Sequence, residues 1–330
     1  MTPLRLLLSP IGTALTLVIL SHGGAGAVTL FDPSSTASPV HEFPNGTPGG
    51  PLHVDAAGTL YVGLGSDGIH KITLAGTESP WSSLNSPEFA ISSSGDGYAV
   101  GPDRHTISRL SSGGVASMLI EADTLEWMYV AIDPDGSLWA TSQQFGARDA
   151  LNHIDTVTGE RTVVFLGGPL PPGQGIPITL GPITFGNDGE LYLAGTVFEA
   201  IVHVDLFRLD GTALTSLATL PHGGRLERGP GSLLYATANF QNPVGYINGE
   251  VWSVDIATGT SELVARACCG LDMVFWGTAY SAQTEKLYVG ESGWRSGSTF
   301  NNAELWAISS SVPVRTESWG AVKARYRGTR

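Results

Sequence analysis

The residues with most chemistry in them stand in one short run, Cys268-Cys269 followed by Asp272 and Trp276. These are the chain's only 2 cysteines. Adjacent Cα atoms lie about 3.8 Å apart across a trans peptide, short of the roughly 4.4 to 6.8 Å that a disulfide ordinarily spans. Three states are therefore open to the pair: a strained vicinal disulfide, two free thiols, or a link between copies. A closed ring would form a stiff apolar plate, and with an acid and an indole beside it would suit a flat or cyclic ligand. Metal ligation by both thiolates lacks partners at regular spacing.

Other motifs are turns rather than sites. Gly63-Leu64-Gly65-Ser66-Asp67-Gly68 fits G-x-G-x-x-G, but the alternating Ile69-His70-Lys71-Ile72 behind it predicts a strand, and a dinucleotide site needs a helix N-terminus there. Asp133-Pro134-Asp135-Gly136 starts like a calcium loop and lacks the later acidic ligands. No H-E-x-x-H, G-x-S-x-G or G-x-x-x-x-G-K occurs. Asn45-Gly46-Thr47 has the form of a glycosylation sequon. The candidate site residues are accordingly Cys268, Cys269, Asp272 and Trp276, with Glu88, Trp127, Asn239, Glu291 and Trp294 as neighbours.

What positions them is a repeat. A hydrophobic strand end, a polar turn closed by glycine and an aromatic strand start recur as Val54-Asp55-Ala56-Ala57-Gly58-Thr59-Leu60-Tyr61, Ile91 to Tyr98, Ile132-Asp133-Pro134-Asp135-Gly136-Ser137-Leu138-Trp139 and Phe185 to Tyr192. Looser copies end at Tyr235 and Tyr288. Aspartate and proline favour the turn, and glycine takes a positive φ without steric cost. The aromatic recurs about every 45 residues, the period of a four-stranded propeller blade. A second hairpin per period, built on Ile69 to Leu74, Ile107 to Leu110, Leu151 to Asp155, Leu206 to Asp210, Val251 to Asp255 and Leu305 to Ile308, supplies the other two strands.

The predicted fold is all-β: a six-bladed β-propeller with four-stranded antiparallel blades. After Ile308 only Val312-Pro313-Val314 precedes a basic tail, and proline cannot donate to a ladder. The last blade is therefore expected to be closed by an N-terminal strand from within Val28 to Phe43.

Residues 1–27 read as a signal peptide: Arg5, an apolar run from Leu6 to Leu20, then Ala25-Gly26-Ala27 with cleavage expected before Val28. The run is shorter than the ~20 residues a spanning helix needs. The expected organisation is 1–27 leader, 28–314 propeller and 315–330 basic tail, the mature protein being secreted or periplasmic and monomeric. Of 17 Lys+Arg, five fall from Arg315 onward and one is Arg5, whereas only Glu317 of 30 Asp+Glu lies in the tail. The body is thus strongly acidic and disfavours nucleic acid. The tail is either disordered or a short amphipathic helix that touches membrane or cell wall weakly.

Repeat topology also sorts the loops. Turns within hairpins share one face, while connections between hairpins and between blades share the other. The second set is longer, as in Thr141 to Ala150, Gly167 to Gly181, Thr237 to Gly249 and Gly290 to Ala303. Long loops held on one rigid face are where binding or catalysis concentrates.

The repeated hydrophobic-Asp-x-x-Gly-x-Leu-Tyr cue, over nearly the whole mature chain, resembles the six-bladed propellers of the NHL, streptogramin-lyase-like and SMP-30/gluconolactonase group. That resemblance implies, in lactonases, a divalent cation such as calcium or zinc held in the central channel by glutamate, asparagine and aspartate, the aspartate commonly just beyond the Leu-Tyr-Val strand. Gly63-Leu64, Val100-Gly101, Thr141-Ser142, Ala194-Gly195, Thr237-Ala238 and Gly290-Glu291 stand there in this chain, with no aspartate. On that resemblance, Glu88, Glu126, Asn239, Asp272 and Glu291 are the residues expected near the channel mouth. The expected function is an exported propeller binding a small molecule, carbohydrate or protein on its long-loop face. The alternative is a metal-dependent, lactonase-like hydrolase or a lyase acting at the central channel.

Overall fold

The computed structural model of the chain describes residues 17–18, 28–31, 35–43, 50–122, 124–143, 149–167, 178–198, 202–220, 224–241, 247–267, 272–294 and 302–310. Cys268, Cys269, the tail and most of the leader lie outside the described residues.

In blades 1 and 3 the first hairpin is made by its aspartate. Asp55 Oδ1 accepts the backbone N–H groups of Ala57 and Thr59, both at 2.9 Å, and Asp133 Oδ1 those of Asp135 and Ser137 at 2.9 and 2.8 Å. Gly58 and Gly136 then close their turns at φ 80° and 89°, where a Cβ would be strained. The aromatic of the cue locks the turn from behind: the hydroxyls of Tyr61 and Tyr192 donate to Asp55 and Asp188 at 3.1 and 2.7 Å.

Three strands precede the first blade: β1 (Leu17–Val18), β2 (Val28–Leu30) and β3 (Ser35–Phe43). Blade 1 is β4 (Leu52–Val54), β5 (Leu60–Gly63), β6 (Ile69–Ile72) and β7 (Glu78–Ser82). Blade 2 is β8 (Glu88–Ile91), β9 (Gly97–Val100), β10 (Thr106–Leu110) and β11 (Ala116–Glu121). Blade 3 is β12 (Glu126–Ile132), β13 (Leu138–Gln143), β14 (Ala150–Ile154) and β15 (Arg161–Leu166). Blade 4 is β16 (Ile178–Phe185), β17 (Leu191–Phe198), β18 (Val202–Asp210) and β19 (Ala213–Leu220). Blade 5 is β20 (Leu226–Arg228), β21 (Leu233–Gln241), β22 (Ile247–Asp255) and β23 (Thr260–Ala267). Blade 6 is β24 (Asp272–Ser281), β25 (Lys286–Trp294) and β26 (Asn302–Ser310), completed by β3. Gly65–Asp67, inside the G-x-G-x-x-G run, is a single 3-10 turn leading into strand β6.

The innermost strands contact one another in blade order, and β24 returns to β4, so the six blades form a closed ring. Antiparallel pairing of β26 with β3, from Ala303↔Phe43 to Ser310↔Ser35, is the expected closure by an N-terminal strand. The preceding segment goes elsewhere: β2 pairs with β23 on the outside of blade 5, and β1 pairs with β2 in turn. Val28 and Leu30 are drawn there because their side chains fill the seam between blades 5 and 6, where both are almost wholly buried. The apolar core is divided the same way, each of six clusters among the described residues filling one seam between neighbouring blades.

Candidate functional site

Each innermost strand starts at the long-loop face and runs toward the short turns, so the residues at its start meet around the axis. There Arg225, just before β20, forms an ion pair through Nη1 with Glu88 Oε2, at the head of β8. Blades 2 and 5 stand opposite each other in the ring, so this pair crosses the channel as a bar. The arginine is held at both ends: Nη2 donates to the Pro87 carbonyl at 3.3 Å, and the backbone N–H donates to Thr237 Oγ1 at 2.9 Å. Glu88 is nearly inaccessible, and burial drives its carboxyl toward the neutral form. The Arg225 guanidinium, and after it Arg104, works against that drive. Tyr129, half-buried on β12, is in the same field; burial and the Glu88 charge push its hydroxyl's pKa up.

One layer below the bar lie His53 and Glu227, on β4 and β20, with His53 Nδ1 3.9 Å from Glu227 Oε2. The His53 ring also lies against Phe89 at 5.1 Å between centroids. Burial, then the Arg225 charge, lowers His53 to about 3. Burial raises Glu227 to about 8, against the pull of Arg228. Near neutral pH the imidazole thus lacks a second proton while the carboxyl keeps its own. The little surface the two side chains retain faces a cavity of about 450 Å³ that runs down the axis from Glu88 and Arg225, past Ala90, Thr184 and Thr278, to the turns at Ser92 and Asp135. That volume is ample for a small organic molecule.

Only Glu88 among the sequence-derived candidates has its side chain described in this channel. Trp127 is wholly buried in the seam between blades 2 and 3, where its backbone N–H donates to the Arg104 carbonyl at 2.7 Å. Asn239 clamps blade 5 to blade 6: its Nδ2 donates to the Phe275 carbonyl and its Oδ1 accepts the Phe275 N–H, both at 3.0 Å. Trp276 faces the seam between blades 6 and 1, 6.1 Å from Phe43. Its ring lies so close over Gly290 that a Cβ there would fall 2.2 Å from it. Glu291 is buried toward blade 5, opposite Phe275 in register, and neither carboxyl oxygen has a hydrogen-bond partner among the described residues. Burial, with the Glu304 charge adding to it, raises Glu291 to about 8; the Trp306 indole is near enough to oppose this but not aligned to bond. Asp272 and Trp294 are register partners at the long-loop ends of β24 and β25. Cys268 and Cys269 fall outside the described residues.

Arg225, His53, Glu227, Tyr129 and Arg104 were not candidates from the sequence. The signal that marks two of them is a polar side chain in the strand just before the turn cue, in Leu52-His53-Val54 and Leu226-Glu227-Arg228. Arg225 carries no such mark, since Gly223-Gly224-Arg225 reads as a basic loop residue.

The divalent cation implied by the resemblance does not fit these residues. Among the described residues no group of three or more His, Cys, Asp and Glu side chains is placed to hold a metal ion. Glu88 is engaged by a cation already, Glu227 is held neutral, and both ends of the Asn239 amide are occupied.

Ring and channel together define a six-bladed β-propeller with a polar, barred axis. No family model matches the chain, and no curated protein matches it by sequence. Solved structures do share its fold. The holo pyranose dehydrogenase PQQ domain of Coprinopsis cinerea aligns with TM-score 0.58 and 12% identity over 87% of this chain and 98% of its own. The PQQ-bound aldose sugar dehydrogenase of Streptomyces coelicolor gives 0.54 and 12% over 84% and 99%. The calcium-binding protein regucalcin of Agrobacterium tumefaciens gives 0.51 and 14% over 78% and 91%. The expected architecture stands, at the level of fold, beside binding proteins and enzymes alike.

Proposed function

We propose that this is an exported propeller that binds a small polar ligand in its central channel, at the end beside the long-loop face, and performs no chemistry on it. The supporting observation is the group of channel-wall residues His53, Glu88, Arg225 and Glu227, drawn from blades 1, 2 and 5 around one cavity. Withdrawing four ionisable side chains from water, Glu88 almost wholly and the other three in large part, costs stability that an apolar wall would not, so their retention points to a ligand. The leader-like first 27 residues support export. A thermal-shift screen of small hydroxylated and charged molecules against the protein and its Thr184→Trp variant tests the reading. Thr184 lines the cavity wall. Hits should raise the melting temperature of the parent and leave the plugged variant unmoved. Equal stabilisation of both would move the site out of the channel.

One observation favours the alternative of a hydrolase or lyase. Glu227 holds a proton and His53 lacks one, 3.9 Å apart and facing the same cavity. A substrate seated between them would have a general acid and a general base in reach. In that case Glu227→Gln would abolish turnover of a channel ligand and leave its binding intact.

A further inference from the structure

We propose that the bar across the channel is an exchange site for a small hydroxylated monocarboxylate: the ligand's carboxylate takes Arg225 from Glu88, and Glu88 takes up a proton from solvent. The inference rests on the channel-binding reading above and specifies its ligand class.

Arg225 is the cation that lines the far end of the cavity, and its backbone and Nη2 are anchored independently of Glu88, so the guanidinium stays in place when its carboxylate partner changes. Planar guanidinium recognises carboxylate in paired hydrogen bonds whichever molecule supplies it. Glu88, by contrast, is held charged only by its neighbours. The charged and titratable groups facing it are Arg225, Arg104 and Tyr129, and burial opposes its ionisation. Once Arg225 is occupied by another anion, a second carboxylate alongside would be uncompensated, so Glu88 accepts one proton and the count of charges in the channel is unchanged. The layer below selects hydroxyls rather than further charge. His53 and Glu227 present an imidazole and a carboxyl that are both uncharged near neutral pH, supplying donors and acceptors without adding net charge. The chain as a whole carries net charge −13, so a carboxylate is admitted by Arg225 and not by the overall field.

The experiment is calorimetric titration of the full chain with quinate, a cyclic polyhydroxy monocarboxylate, and with methyl quinate, its neutral ester, in buffers of different ionisation enthalpy. Quinate should bind with uptake of one proton and more weakly as pH rises, while the ester binds at least about tenfold more weakly. In Glu88→Gln the bar is already neutral on one side, so quinate should bind about tenfold more tightly near pH 8 with no proton uptake. Arg225→Leu should lose quinate binding. Ester binding equal to acid, or quinate binding without proton uptake in the parent, overturns the exchange and leaves the channel reading in place. Failure of quinate to bind a protein that the Thr184→Trp comparison shows to take neutral ligands in the channel also overturns it. Quinate binding that survives in Thr184→Trp overturns both readings.

Discussion

The channel and the seam between blades 5 and 6 each bury a glutamate, and they treat it in opposite ways. Glu88 is met by an arginine from the far side of the ring, itself tied down by Thr237 and Pro87. Glu291, as deeply buried, meets Phe275 in register, a glutamate on the next strand and an indole out of line. Taking a carboxylate out of water is costly, and a protein either supplies the opposite charge or lets the group keep its proton. The seam takes the second course, which suits a place whose work is packing. The channel takes the first for Glu88 and the second for Glu227, so the buried carboxylate that meets an arginine is the one paired as an ion there.

The sharpest way to break this contrast is to remove the cation. Arg225→Leu should lower unfolding free energy by roughly 3–5 kcal/mol near neutral pH, because Glu88 is left buried without its partner. Adding Glu88→Leu should recover most of that loss in urea titrations. A double variant no more stable than the single would mean the two residues do not act as a unit.

The seam predicts a smaller effect with a pH signature. Glu291 rises from 4.5 unfolded to about 8 folded, so its contribution is complete below about pH 4.5 and is lost as pH climbs through about 8. Glu227 behaves alike on the channel side. Glu291→Gln should therefore flatten part of the alkaline limb, leaving the variant more stable than the parent by on the order of 1–3 kcal/mol near pH 9. An unchanged limb would show that Glu291 is charged in the fold.

His53 works from the other side. Its folded value of about 3 lies below 6.5, so stability is present above about pH 6.5 and is lost as pH falls toward 3. His53→Phe should reduce that acid limb by roughly 1–2 kcal/mol, moderated because the ring faces channel water. The full profile should be a dome between the two limbs. Smallest of all, Tyr192→Phe removes the hydroxyl that locks Asp188 and should cost about 0.5–1.5 kcal/mol, with no pH signature between the limbs.

The blades were legible because their signal is local. Asp133 to Trp139 specifies its own turn within a few residues, and six repetitions fix the ring. Even the closing strand could be placed, since Val312-Pro313-Val314 offered no substitute. The site was legible only in fragments. Glu88 and Arg225 are 137 residues apart, and nothing near Arg225 announces a partner in blade 2. Trp127, Asn239 and Trp276 drew notice as large or polar residues near long connections, and the structure uses them to join blades. Their types are the same whether a side chain points at a ligand or at the next sheet. Only the register of each strand decides which.

The pairing of β3 with β26 also governs how the molecule comes into being. About 260 residues separate the two strands, so the ladder that closes the ring joins chain made early to chain made last. Until β24 is synthesised, blade 1 has no neighbour on one side, and until β26 follows, β3 has no partner in blade 6. Such waiting edges are where nascent chains associate wrongly. Completion should thus be slow and late, and a chain cut before Asn302 would lose the closure rather than one strand's worth of stability.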